Sequence, residues 1–178
     1  EGGNPYVIPL APTHPPLGAL GYVDMIGELL DQARKRGLRI DAIVTPSGSA
    51  STHGGILVGL RSRESNIPVY GICIRRPADA QRERVLDRAR AAARLIQRQD
   101  LIHDDDINVD DGYLGPGYGL PDEQLMEALQ LAAGKEALIV DPVYSGKTMA
   151  GLIGLVRQGV FEKDQNVVFV HTGGTPAL

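Results

Sequence analysis

Short β-branched apolar runs alternate along almost the whole chain with longer stretches whose apolar residues recur at helical spacing. The runs predict strands over residues 6–9, 41–45, 69–74, 137–140 and 167–171. The longer patterns predict helices over residues 17–36, 51–62, 78–99, 122–133 and 145–157. Gly37, Gly134 and Gly159 follow helix ends, where a left-handed closing turn favours glycine. Strands separated by helices need crossover connections, which give a mostly parallel sheet with helices on both faces. The expected fold class is therefore α/β, a three-layer αβα arrangement, with no internal repeat.

One stretch breaks the rhythm. Residues 100–121 carry Asp104-Asp105-Asp106, then Asp110-Asp111, then a Gly/Pro-rich run around Tyr118. Loops of that length inside a compact domain are usually functional. The aspartates lack the alternate spacing and central glycine of a calcium loop, so they read as a solvated loop, with no metal site expected. Tyr118 stands between two glycines; it either serves a site or tucks onto the core.

A chain of 178 residues with 43% hydrophobic content fits one domain with a sizeable core. The apolar runs at 137–140 and 167–170 are far too short to span a bilayer, and the first residues lack a basic region followed by an apolar run. No membrane association is expected, and a cytoplasmic location is the default. Cys73 lies inside the apolar run 69–74 and reads as a buried strand residue. A net charge of −4 without a concentrated basic tract argues against a nucleic-acid partner. The arginines between 81 and 98 alternate with Ala, Leu and Ile as in an amphipathic helix with a solvated basic face.

The richest chemistry lies between Thr45 and Gly55, where a strand runs through Pro, Ser, Gly, Ala, Thr and His into a helix. Small residues let several backbone N–H groups converge, the helix dipole adds positive potential, and Ser47, Ser49, Ser51 and Thr52 add hydroxyl donors. That build suits a phosphate group; it also suits a plain helix cap.

Together with this stretch, the segments Asn4 to Pro9, Gly115 to Pro121, Asp141-Pro142-Val143-Tyr144-Ser145-Gly146-Lys147 and His171 to Ala177 carry a resemblance. The chain resembles the pyridoxal-phosphate enzymes of the 1-aminocyclopropane-1-carboxylate deaminase and D-cysteine desulfhydrase family. The resemblance implies the tryptophan-synthase-β-like fold (fold type II), in which a large and a small α/β domain close over pyridoxal 5'-phosphate. By that resemblance, residues 1–178 would correspond to most of the large cofactor-binding domain, with the small domain and the lysine segment that bonds the cofactor expected outside the chain.

By the same resemblance, Ser47, Gly48, Ser49, Ala50, Ser51, Thr52 and His53 would hold the phosphate, with His53 orienting the loop. Ser51 stands where the desulfhydrases more often have glycine. Tyr118 and Tyr144 match the family's two active-site tyrosines. Ser145 stands where the deaminases carry glutamate. A neutral hydroxyl cannot stabilise a protonated pyridine nitrogen by charge, which disfavours ring opening and favours β-elimination. Thr172 either approaches the pyridine nitrogen or caps its turn. Lys147 reads as a first-turn helix residue, and none of Lys35, Lys135, Lys147 or Lys163 follows the family's glycine-glycine-asparagine run. The substrate implied is a small amino acid, D-cysteine giving pyruvate, sulfide and ammonia, with L-cysteate and 1-aminocyclopropane-1-carboxylate as alternatives. A homodimer is implied by family. The alternative of another class is a non-catalytic module that holds a phosphate-bearing ligand.

Overall fold

A computed structural model describes residues 2–6 and 14–174. In chain order it contains α1 (Ala19–Lys35), β1 (Ala42–Ser47), α2 (Ser51–Arg61), β2 (Val69–Cys73), α3 (Ala78–Leu95), β3 (Asn108–Asp110), α4 (Glu123–Glu136), α5 (Ser145–Arg157) and β4 (Val167–Phe169). The sheet order is β3-β2-β1-β4 and every pairing is parallel. Alternation along β1 divides the core. Ile43 joins Ile26, Ile56, Leu60, Val85 and Ala89 of α1, α2 and α3 on one face. Val44 joins Ile72, Ala128, Ala150 and Leu155, with α4 and α5, on the other. The three-layer α/β expectation therefore describes the molecule, and the carboxyl ends of the strands gather the loops where such folds bind ligands.

Three expectations fail. Residues 137–140 form no strand. The turn that closes α4 uses the Leu138 N–H for the Ala132 carbonyl, and the Ile139 carbonyl is taken by His171 Nε2 at 2.8 Å, so neither serves a ladder. Gly134 does not end α4, which continues to Glu136; Ala137 takes the left-handed turn at φ 53°. The stretch 100–121 contains β3, which pairs Tyr70 with Asn108 and Ile72 with Asp110. Acidic flanks and one valine hid this edge strand, because its pairing and not its periodicity fixes it. Of the segment expected as a strand at 6–9, Tyr6 is irregular and the rest lies outside the described residues.

The misplaced glycine gives a stability prediction. A Cβ at Gly134 meets open space in a helix interior, whereas Ala137 bears the left-handed strain. Gly134→Ala and Ala137→Gly are each expected to raise unfolding free energy by about 0.5–1 kcal/mol, read by urea denaturation.

Candidate functional site

β1 ends at Ser47, and residues 48–50 turn the chain into α2. Ala50 makes the turn in the left-handed region, φ 74° and ψ −6°, while 98% buried, so its backbone strain is held in place by packing. The N–H groups of Ser49 and Ala50 have no hydrogen-bond partner among the described residues, and Ser51 N–H reaches only Ser49 Oγ at 3.4 Å. Gly48, Ser49, Ala50 and Thr52 form one wall of a cavity of about 270 Å³. Thr172, Gly173 and Gly174, from the turn after β4, form the facing wall, and Asp141 and Tyr144 close one side. Unpartnered N–H donors at a helix N-terminus suit a phosphate ester, so the residues present fit the phosphate end of the cofactor.

Ser47 and His53 do not line this cavity; they brace the loop from behind. Ser47 Oγ accepts from Gln81 Nε2 at 2.9 Å and lies 3.1 Å from His53 Nδ1. His53 is fully buried against Gly71, where any Cβ would overlap the imidazole. Burial lowers its pKa to about 3, so the ring is neutral near pH 7 and orients the loop instead of exchanging protons. The unfolded chain, with the ordinary value of 6.5, binds that proton earlier. Between pH 6.5 and about 3, His53 therefore gives native stability a downward slope as pH falls. His53→Gln is expected to remove that slope from the acid limb of the stability curve measured by urea denaturation.

Asp141 organises the start of α5. Its Oδ1 accepts from the N–H groups of Val143 and Tyr144, both at 2.8 Å. Its Oδ2 accepts from Ser145 N–H at 2.8 Å and Ser145 Oγ–H at 2.5 Å. Burial alone would push this carboxyl up; the hydrogen bonds from the Ser145 side chain and the three backbone donors outweigh it and hold the carboxyl below the usual aspartate range. The Ser145 hydroxyl also accepts from Asp141 N–H at 2.9 Å. It is fully buried and does not itself line the cavity, although its Oγ–H also lies 3.4 Å from the carbonyl of the cavity-lining Gly173.

Tyr144 does face the cavity, and its Oη lies 2.6 Å from Tyr118 Oη, with the rings edge to face. The hydrogen bond with Tyr118, then burial, pushes the Tyr144 phenol above its ordinary value, while the Arg75 cation pulls the other way. The Arg75 guanidinium sits 5.5 Å from the centre of the Tyr118 ring. The loop that carries Tyr118 is anchored by Lys147, whose buried ammonium donates to the carbonyls of Leu114 at 2.5 Å and Gly117 at 2.8 Å. On the facing wall, His171 Nε2–H donates to Ile139 O and its Nδ1 accepts from Gly173 N–H at 3.1 Å, which fixes the tautomer and the turn. Thr172 is exposed on that wall and its hydroxyl makes no hydrogen bond among the described residues.

Thus the structure brings Gly48, Ser49, Ala50, Thr52, Tyr144 and Thr172 to one cavity, with Tyr118 attached through Tyr144. Ser51 sits half-buried in the first turn of α2, off the wall. Asp141, Gln81, Arg75 and the anchoring role of Lys147 escaped sequence reasoning, because only burial and long-range partners reveal them. Among the described residues no cluster suits a metal ion and no helix is long and apolar enough to cross a membrane.

Residues 1–173 match the family described as "Pyridoxal-phosphate dependent enzyme". The chain belongs to that family. It is 40% identical over 177 residues to the 1-aminocyclopropane-1-carboxylate deaminase of Burkholderia vietnamiensis, covering 99% of this chain and 52% of that protein. It is 39% identical over 178 residues to the D-cysteine desulfhydrase of Salmonella paratyphi C, covering all of this chain and 53% of that protein. The chain therefore spans about half the length of the curated relatives it matches. A crystal structure of an ACC deaminase homologue superposes with a TM-score of 0.79 at 30% identity, over 89% of this chain and 46% of that one. A crystal structure of a T.th. threonine deaminase, with a TM-score of 0.57 at 18% identity over 88% of this chain and 57% of that one, shares the fold. The fold type II assignment and the pyridoxal-phosphate cofactor follow from this membership.

Proposed function

We propose that this chain is most of the large, cofactor-binding domain of a homodimeric pyridoxal-phosphate lyase that carries out β-elimination on a small sulfur-bearing amino acid, D-cysteine being the leading substrate. The carrying observation is the cavity itself, which sets an N–H cradle on one wall and the Tyr118–Tyr144 phenol pair beside it. When bound, pyridoxal phosphate supplies a sink for the electrons released at the substrate α-carbon. The N–H groups of Ser49 and Ala50, with the α2 dipole, would bind its phosphate. Thr172 Oγ1 is the hydroxyl left on the facing wall to meet its ring. Asp141, the carboxylate on the cavity, already accepts four hydrogen bonds and Ser145 is bonded to it. Among the described residues no uncommitted carboxylate on the cavity wall is therefore set to hold a proton on the pyridine nitrogen, which supports elimination over ring opening. Tyr144 Oη, hydrogen-bonded to Tyr118 Oη across 2.6 Å, would move a proton at the substrate.

Sulfide and pyruvate release from D-cysteine by the holoenzyme tests this reading, and turnover of 1-aminocyclopropane-1-carboxylate with no sulfide release would overturn it. Tyr144→Phe is expected to lower elimination roughly 10²- to 10⁴-fold while cofactor absorbance is retained. A second reading, L-cysteate sulfo-lyase, draws on Arg75, whose cation beside the phenol pair favours a substrate with a second anionic group. Sulfite release from L-cysteate faster than sulfide release from D-cysteine would select it.

A further inference from the structure

The Ser/Gly turn is gripped by guanidinium groups from the segment after β2 and from α3. Arg76, three residues beyond β2, donates from Nη1 to the Gly48 carbonyl at 3.0 Å. Arg84, on α3, donates from Nε to the Ser49 carbonyl at 3.3 Å. Neither takes part in an ion pair among the described residues. Burial and then the nearby cations of Arg76, Arg88 and Arg75 push Arg84 below the ordinary arginine value. The fold thus crowds like charges against one turn without a carboxylate partner, an arrangement that an anion on the other side of that turn would relieve.

Peptide geometry says which way the turn then points. No cis peptide occurs among the described residues, and in a trans peptide the C=O and the following N–H lie on opposite sides of the unit. With Arg76 on the Gly48 carbonyl, the N–H of Ser49 is turned away from the arginine. With Arg84 on the Ser49 carbonyl, the N–H of Ala50 is turned away likewise. The arginines lie outside the cavity, whereas Ser49 and Ala50 line it. A cation on each carbonyl also polarises its peptide unit and makes the N–H a stronger donor. Together the two contacts hold the turn open against the left-handed strain at Ala50.

We infer that Arg76 and Arg84 are positioning residues of the anion cradle, fixing two consecutive peptide units so that the N–H groups of Ser49 and Ala50 meet the oxygens of a phosphate monoester. This inference rests on reading the cradle as the cofactor's phosphate site. It adds a pair of groups that never touch the cofactor yet set its affinity.

Pyridoxine 5'-phosphate, an alcohol that cannot bond to lysine, tests it when compared with pyridoxine by titration calorimetry on the protein. The unaltered protein is expected to bind the phosphate ester and discriminate against pyridoxine. Arg76→Gln and Arg84→Gln are each expected to weaken ester binding roughly fivefold to tenfold and leave pyridoxine binding unchanged. Phosphorus NMR of the bound ester separates positioning from mere bracing: loss of a nearby cation raises the pKa of the bound phosphate, which a purely structural tie would not do. Arg76→Lys and Arg84→Lys keep the cation and are expected to keep the phosphate titration of the unaltered protein, and they serve where a Gln variant fails to fold. Gln variants with unchanged ester affinity and unchanged phosphorus titration would overturn the inference while leaving the cradle intact. An unaltered protein that binds ester and pyridoxine equally would instead overturn the cradle reading itself.

Discussion

Asp141→Ala is expected to lower the melting temperature by roughly 6–12 °C, corresponding to about 3 kcal/mol. The carboxylate caps α5 by accepting from three backbone N–H groups and one hydroxyl, all at 2.5–2.8 Å, and it is 99% buried. Alanine would strand these donors where little water reaches, and would remove a negative charge from the positive end of the helix, worth up to about 2 kcal/mol in a partly buried setting. The cost of desolvating the carboxylate is recovered, which keeps the total below the sum of its bonds. Asp141→Asn offers one carbonyl oxygen where the carboxylate has two, so it should fall between the parent and alanine. The folded carboxyl titrates below its unfolded counterpart, so its contribution is present above the ordinary aspartate value and is lost as pH falls through the folded value. Both variants should therefore show less destabilisation, relative to the parent, at strongly acid pH. Thermal melts by circular dichroism across pH check the size and the sign together; an alanine variant that melts with the parent would remove Asp141 as the organiser of Tyr144.

Lys147→Met is expected to cost about 2 kcal/mol, roughly 4–8 °C in melting temperature, and to do its main damage to the loop that carries Tyr118. Methionine keeps the volume of the side chain but leaves the carbonyls of Leu114 and Gly117 without their donor. Relief of the ammonium's burial offsets part of that loss, since burial already lowers the lysine pKa against the opposing pull of Asp122. The readout is local. Hydrogen exchange should rise over residues 114–119. The Tyr144 phenol, held high chiefly by its bond to Tyr118, should then titrate nearer its ordinary value in an ultraviolet pH titration. Unchanged exchange and an unchanged phenol titration would show that the loop holds itself.

Much of the architecture was legible because periodicity records which face of an element is buried. Ser51–Arg61, Ser145–Arg157, Val69–Cys73 and the parallel pairing all follow from apolar spacing and from the crossover rule. The Ser/Gly turn was legible because small and hydroxyl residues between a strand and a helix permit a turn that gathers N–H groups, the same build that also suits a plain helix cap. Where sequence reasoning failed, a partner distant in the chain had decided the outcome. Asn108–Asp110 is a strand only because β2 offers an open edge, and 137–140 is not one because helix closure and His171 claim its donors and acceptors.

By itself, then, the sequence determined the αβα class and the position of the Ser/Gly turn, while its motifs carried the family resemblance. The first two properties are local, set by spacing and by backbone permissiveness within a few residues. Only the tertiary structure decided that Ser145 faces Asp141, that His53 and Ser47 stand behind the loop, and that Lys147 holds the loop carrying Tyr118. It also set Arg76 and Arg84 against the outer carbonyls of the turn. Each of these depends on which polar group meets which after burial, and a buried hydroxyl, imidazole or ammonium takes whatever partner packing brings within about 3 Å.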